Sequence, residues 1–251
     1  MTDLTLGIPV YNAFPFLEGL FTCLRALSPL PNEIILLDDA SQDDSWPRLQ
    51  EFGETSGLRV PLRVLHNERN LGIAGAYNRL VREARGEWLQ VLDGDDVLVE
   101  PDYYARVRPM LNAEHDLVVT GLESNSAMLR RGSRLLRSLV PQHPPQWWPL
   151  LGSFATRSGV IYRRRSLVEH PFPDPMYPGS DVIHLLDLRN GGRCVYRARP
   201  RVFHRVHADS QSSRLRDYTP YRRQLARFGR MIRLTYGFDI ALRQLGHRWS
   251  R

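Results

Sequence analysis

Apolar positions in the first 120 residues alternate between two registers. Leu4-Thr5-Leu6-Gly7-Ile8-Pro9-Val10 is a short apolar run that stops sharply at Tyr11-Asn12, as a strand would. Leu17, Leu20, Phe21, Leu24 and Leu27 then recur near 3.6 residues, with Pro15 suited to the first turn of a helix. Glu33 to Leu37 is β-rich and too short for a helix, the pattern of a fully buried strand. Asp44 or Ser45 is placed to cap a helix with Pro47 in its first turn, and Val60 to Leu65 predicts a third strand. Ile73, Ala76, Tyr77, Leu80, Val81 and Ala84 form one helical face closed by Gly86. Trp88 to Leu92 is a fourth strand, and it runs straight into Asp93-Gly94-Asp95-Asp96.

This alternation predicts a parallel sheet with helices on both faces. Ligands of such sheets bind beyond the carboxyl ends of the strands. Tyr11-Asn12, Asp38-Asp39 and the Asp93–Asp96 run all follow strands, so they are expected at one edge. After residue 120 the pattern loosens. Residues 124–155 mix Arg, Pro, Ser and a Trp147-Trp148 pair without a clean period. Ser158 to Tyr162 reads as a strand, Asp181 to Leu188 as a helix ending at Gly191-Gly192, and Cys194 to Tyr196 as a further strand.

Composition narrows the class. The 251 residues are 42% hydrophobic and 24% charged, which excludes a disordered or collagen-like chain. All 34 basic residues are Arg. Residues 1–120 carry a formal charge of −9 and residues 121–251 one of +16, which together give the overall +7. An acidic front and a basic back fit a nucleic-acid arm, a membrane-facing surface, or two lobes closing on a charged ligand. Cys23 and Cys194 form neither a disulfide framework nor a zinc motif. No signal-peptide pattern opens the chain, and no run approaches the roughly 18 apolar residues of a membrane span. A soluble cytoplasmic protein is the expectation.

The polar strand ends carry the candidate chemistry. Asp93 and Asp95, one residue apart, project to the same side of a chain that is still extended and can share a hard divalent cation such as Mg2+ or Mn2+. Gly94 between them leaves room for a ligand to approach the backbone. An acidic β-turn would use the same residues. Asp96 can bond neighbouring backbone or support the metal. Asp38-Asp39 can accept the imide hydrogen of uracil or thymine, or the amino and imide hydrogens of guanine. Asp43, Asp44 and Ser45 suit helix capping. A diphosphate would not choose two acidic clusters without a cation between them, so a metal-bridged nucleoside diphosphate reconciles the pieces.

Ile8-Pro9-Val10-Tyr11-Asn12, Glu33 through Asp43, Asn70-Leu71-Gly72 leading to Tyr77-Asn78, and Asp93-Gly94-Asp95-Asp96 stand in an order and spacing that resemble the family 2 glycosyltransferases. Ser180-Asp181 resembles the start of the family's acidic helix, and Arg205-Val206-His207 with Ser210 and Ser212 resembles its late loop. The resemblance implies a GT-A fold, a Rossmann-like and mostly parallel α/β sheet. It also implies inverting transfer of a sugar from a UDP, GDP or TDP donor with Mn2+ or Mg2+. Pro9, Tyr11 and Asp39 would then line the base pocket, Tyr11 stacking on the base, with Asn70 and Gly72 in the donor site. Asp93 would touch ribose or metal, Asp95 and His207 would hold the metal, and Asp181 would be the general base. Two departures stand out: Ser180 replaces a common Glu, and Tyr77 a common Arg. On this reading residues 1–120 bind the nucleotide sugar. Residues 121–212 bind a glycan or lipid-linked acceptor and supply the base, and 213–251 form a basic helical extension.

In that extension Tyr221, Leu225, Phe228, Ile232 and Tyr236 share one helical face, with Arg222, Arg223, Arg227, Arg230 and Arg233 opposite. Such a helix over 217–245 can lie on an anionic membrane or pack on the fold. Two other functions compete. A sugar-phosphate nucleotidyltransferase needs a Gly-rich basic loop that Gly7 to Tyr11 does not offer. A nucleic-acid-binding protein could use the Arg content, but acidic strand ends would repel the backbone, and no nucleic-acid partner is expected.

Overall fold

The computed structural model describes residues 3–126, 157–174, 176, 180, 184, 185, 187, 188, 193–207 and 223. Its strands are β1 (Leu4–Val10), β2 (Glu33–Asp38), β3 (Leu62–His66), β4 (Trp88–Val91), β5 (Val97–Leu98), β6 (Leu117–Ser124), β7 (Val160–Arg163) and β8 (Cys194–His204). The helices are α1 (Phe14–Ala26), α2 (Ser45–Thr55), α3 (Gly72–Glu83), α4 (Tyr103–Val107) and α5 (Arg164–Glu169), with short 3-10 turns at Arg108–Met110 and Arg157–Gly159. One sheet holds all eight strands in the order β3-β2-β1-β4-β7-β6-β8-β5.

Period-two alternation sorts the core onto two faces. Leu4, Leu6, Ile8 and Val10 of β1, with Ile34 and Leu36 of β2, pack against Leu17, Leu20, Phe21 and Leu24 of α1 and Leu49 and Phe52 of α2. Phe21 and Phe52 stack with centroids 3.9 Å apart. Ile35 and Leu37 of β2 with Leu89 and Val91 of β4 face Ala76, Tyr77, Leu80 and Val81 of α3. With α1 and α2 on one face of β1, β2 and β4 and α3 on the other, this part of the sheet is a three-layer α/β arrangement.

The direction of the later strands decides where the site forms. β1, β2, β3 and β4 run parallel. β7 is antiparallel to β4, and β6 antiparallel to β7, so two reversals return β6 to the direction of β4. β8 pairs parallel with β6. The carboxyl end of β8 therefore lies at the same sheet edge as those of β1, β2 and β4.

Several local expectations need correction. β3 begins at Leu62 rather than Val60, and the segment expected as strand from Ser158 opens with a 3-10 turn before β7. β5 and β6 carry no clean period in the sequence, and β8 continues to His204, far beyond Tyr196. Gly86 does not cap α3, whose C-cap is Ala84. A Cβ at Gly86 would lie 2.7 Å from the Thr5 amide nitrogen, so close approach to β1 requires the glycine there. Asp43 serves two helix starts: its Oδ1 accepts Ser45 N at the head of α2 (3.0 Å) and its Oδ2 accepts Phe14 N of α1 (3.1 Å), while Ser45 Oγ accepts Ala13 N before α1 (3.0 Å). Asp44 occupies the N-cap of α2 without a side-chain bond. Trp147, Trp148, Asp181, Ser210, Ser212 and the 217–245 helix, Arg223 apart, lie outside the described residues. Among those described, no helix is long and apolar enough to cross a membrane.

Candidate active site

Two loops leave the carboxyl edge from β1 and β2 and are laced together. Asn12 N donates to Ser41 Oγ (3.0 Å) and Gln42 N to Asn12 Oδ1 (2.7 Å), beside the two α1 capping bonds. Asn12 and Ala40 both take positive φ, 49° and 58°, where the strands turn into these loops. Tyr11 stands on this rim 47% exposed, a free aromatic face, and Pro9 is half-buried just below it in β1.

Asp38 and Asp39 are both buried at the end of β2. Asp38 Oδ2 bonds Ser41 N (3.1 Å) and His66 Nδ1 (2.9 Å). Its Oδ1 is sealed without a partner among the described residues. Asp39 Oδ1 accepts from Asn67 Nδ2 and from Leu71 N (2.9 Å). Asn70 closes a local turn, its Oδ1 accepting Gly72 N at 2.9 Å, and Gly72 has the positive φ of 70° that favours glycine. These two residues shape the loop beside Asp39.

The Asp93–Asp96 run is a turn, since Asp96 N donates to the Asp93 carbonyl at 2.9 Å. The extended-chain expectation is therefore wrong. Gly94 also has a different reason: a Cβ there would meet the Pro9 carbonyl at 3.1 Å and Val10 Cγ2 at 3.2 Å. The turn packs close on the end of β1, so a side chain at this position would press on the β1 backbone.

Each carboxylate in the turn faces its own partners. Tyr77 Oη donates to Asp93 Oδ1, and the Arg157 guanidinium lies over the Tyr77 ring (5.3 Å) and 4.0 Å from Asp93 Oδ2. A cation thus reaches Asp93 from the turn before β7 although position 77 holds no Arg. Burial pushes the Asp93 carboxyl up to about 6; Arg157 opposes this, and Asp96 and Asp95 add to it. Asp95 Oδ2 lies 3.0 Å from His207 Nε2. Burial and then Asp96 raise the Asp95 carboxyl, against the pull of His207. The His207 ring in turn packs on Phe16 of α1, centroids 4.6 Å apart, and Arg205 lies over the same Phe16 ring at 5.0 Å.

Asp96 is fully buried and ties the turn to two distant segments. It accepts from Ser158 Oγ (2.6 Å), Arg205 N (3.0 Å) and His204 Nδ1 (3.1 Å). Burial lowers the His204 pKa, but the bond to Asp96 together with the charges of Asp96, Asp93 and Asp95 outweighs it and raises the ring above its ordinary value. The two histidines thus separate cleanly: His204 anchors β8 to Asp96, and His207 meets Asp95. Phe16, Asn67, Arg157, Ser158 and His204 are site residues that sequence reasoning missed. No periodicity or motif marks their roles: strand order brings in Asn67, Arg157, Ser158 and His204 from the ends of β3, β7 and β8, and the first turn of α1 brings in Phe16.

The donors of Asp95 and His207 are one carboxylate oxygen and one imidazole nitrogen, side chains 24% exposed. Among the described residues no three His, Cys, Asp or Glu side chains converge. These two groups could hold a divalent cation such as Mn2+ or Mg2+ with further ligands supplied from outside the protein. The arrangement can therefore present an aromatic face, a buried carboxylate and a two-residue cation site along one edge.

Known proteins share the fold and the family of this chain. The profile of the family described as "Glycosyl transferase family 2" matches residues 5–170. The succinoglycan biosynthesis protein ExoO of Rhizobium meliloti is 28% identical over 212 residues, 77% of this chain and 58% of its own. Residues 1–349 of Staphylococcus aureus TarS, solved with UDP-GlcNAc, superpose with a TM-score of 0.66 at 16% identity, covering 89% of this chain and 64% of that one. The mannosyltransferase PcManGT of Pyrobaculum calidifontis, solved with GDP-Man and Mn2+, gives 0.67 at 18% identity, covering 89% and 61%. The chain spans less than two thirds of each of these proteins. With the motifs in register and the fold shared, the chain belongs to glycosyl transferase family 2.

Proposed function

We propose that the chain transfers a sugar from a nucleoside diphosphate donor to an acceptor hydroxyl, with inversion, in the assembly of a bacterial surface polysaccharide or glycolipid. The observation that carries this reading is the meeting of Asp95 and His207 across the sheet edge, beside Tyr11 and Asp39. Tyr11 offers its face to the base, and Asp39 accepts a base N–H. Asp93, steadied by Tyr77, faces the ribose. Asp95 and His207 would hold Mn2+ or Mg2+, which when bound neutralises charge on the departing diphosphate. Asp181, outside the described residues, removes the acceptor proton as the acceptor oxygen bonds the anomeric carbon and the bond to phosphate breaks.

Calorimetry tests the donor site. Wild-type protein binds at least one of UDP, GDP and TDP in a Mn2+- or Mg2+-dependent manner, and Asp95→Ala abolishes the metal dependence. Binding of none of the three with either metal refutes the assignment. Asp181→Asn binds donor but loses transfer; retained transfer moves the base elsewhere. Flotation of the full chain and of a chain ending at residue 214 with anionic vesicles tests membrane contact, and equal association refutes it.

A further inference from the structure

The two oxygens of the Asp39 carboxylate are unequally engaged. Its Oδ1 is consumed by two donors, Asn67 Nδ2 and Leu71 N. Among the described residues nothing donates to Oδ2, and that atom is not among the sealed ones. Asn67 is itself buried, and its amide cannot turn round. Arg79 Nη1 of α3 donates to Asn67 Oδ1 and to the His66 carbonyl (2.7 Å), so the NH2 group must face Asp39. The chain Arg79, Asn67, Asp39 thus runs from a helix surface to the base side of the site, and it fixes which carboxylate oxygen remains available.

We propose that Asn67, oriented by Arg79, is a positioning residue that restricts Asp39 to one accepting oxygen and so selects a base with a single imide N–H, uracil or thymine, over guanine. Guanine offers adjacent N1–H and N2–H donors, which a carboxylate matches best as a two-oxygen fork. With Oδ1 occupied, that fork is closed, whereas a lone imide hydrogen needs only Oδ2. This rests on the reading of Asp39 as the base acceptor and deepens it.

The test is calorimetry in Mn2+ with UDP, TDP, GDP and, as a base-free probe, inorganic pyrophosphate. Wild-type protein binds UDP or TDP at least about tenfold tighter than GDP, a difference of roughly 1.4 kcal/mol. Asn67→Ala weakens the preferred pyrimidine diphosphate about tenfold, narrows its margin over GDP and leaves pyrophosphate unchanged. Arg79→Met, a change on a partly exposed side chain, acts in the same direction and keeps the test intact if Asn67→Ala folds poorly. Equal affinity for GDP and the pyrimidine diphosphates overturns the proposal. So does an Asn67→Ala effect that falls equally on pyrophosphate, which would mark a purely structural role. Asp39→Asn separates the two levels: if it weakens UDP or TDP while Asn67→Ala and Arg79→Met do not, the clamp alone fails. If Asp39→Asn changes no nucleotide, the donor-site reading fails instead.

Discussion

Removal of the Asp96 carboxylate should loosen the site from a point that touches no ligand. Asp96→Ala leaves the Ser158 hydroxyl, the Arg205 amide and the His204 ring without their shared acceptor. Three bonds to a carboxylate, at about 1.5 kcal/mol each, the low end for a charged acceptor, give a loss of about 4.5 kcal/mol. That lies within the range of roughly 3–5 kcal/mol for breaking one side of a buried pair. For a chain of this size the melting temperature should fall by roughly 9–18 °C. Urea unfolding followed by circular dichroism gives the free energy, and a double-mutant cycle with Ser158→Ala tests the assignment. Ser158→Ala should cost less in the Asp96→Ala background than in the wild type, with a coupling of about 1 kcal/mol or more. A loss within about 0.5 kcal/mol, the range of an ordinary surface change, would refute the anchoring role. Strict additivity with Ser158→Ala would do the same.

Gln90 is a buried amide in β4 that donates to Tyr103 Oη (3.0 Å) and the Ser158 carbonyl (2.7 Å) and accepts from Tyr104 Oη (3.1 Å). Gln90→Leu should cost about 2–3 kcal/mol in urea unfolding, because those groups stay buried and lose a partner. Asp116 sits among Arg163, Arg165 and Arg193; burial raises its carboxyl, but the Arg193 amide and the guanidinium groups outweigh this and hold it below the ordinary value. A depressed folded-state value contributes stability above the unfolded pKa of about 3.9 and loses it as pH falls through the folded one. Asp116→Asn should therefore be less stable than wild type at pH 7, and urea midpoints should converge below about pH 4. Ala40, with φ at 58°, should tolerate glycine with no loss in thermal melting. Ala40→Val should lose about 2 kcal/mol, the left-handed penalty sharpened by β-branching.

The first half of the chain was legible because most of its strands and helices carry their own period. Leu17, Leu20, Phe21 and Leu24 spell a helix without help from the rest of the chain, and β2 is apolar on both faces. β8 hides its strand character behind Arg197, Arg199, Pro200 and Arg201. Arg201 fits there because Glu100 and Glu123 of neighbouring segments bond it at 2.9 and 2.7 Å, partners no local pattern reveals. The site divides in the same way. Asp39, Asp93 and Asp95 follow strands and announce themselves, whereas Ser158 and His204 matter only once two strand reversals have brought them to Asp96. Gly94 and Gly86 show the converse: the residue was conspicuous, but its reason was the neighbouring backbone of β1.

The lacing between the loops after β1 and β2 has a thermodynamic consequence. Four bonds from Ser41, Gln42, Asp43 and Ser45 hold the rim that carries Tyr11 in one arrangement before any ligand arrives. The conformational entropy of ordering that rim is lost during folding, so a ligand that binds there need not lose it again. The free and nucleotide-bound shapes of this corner should coincide.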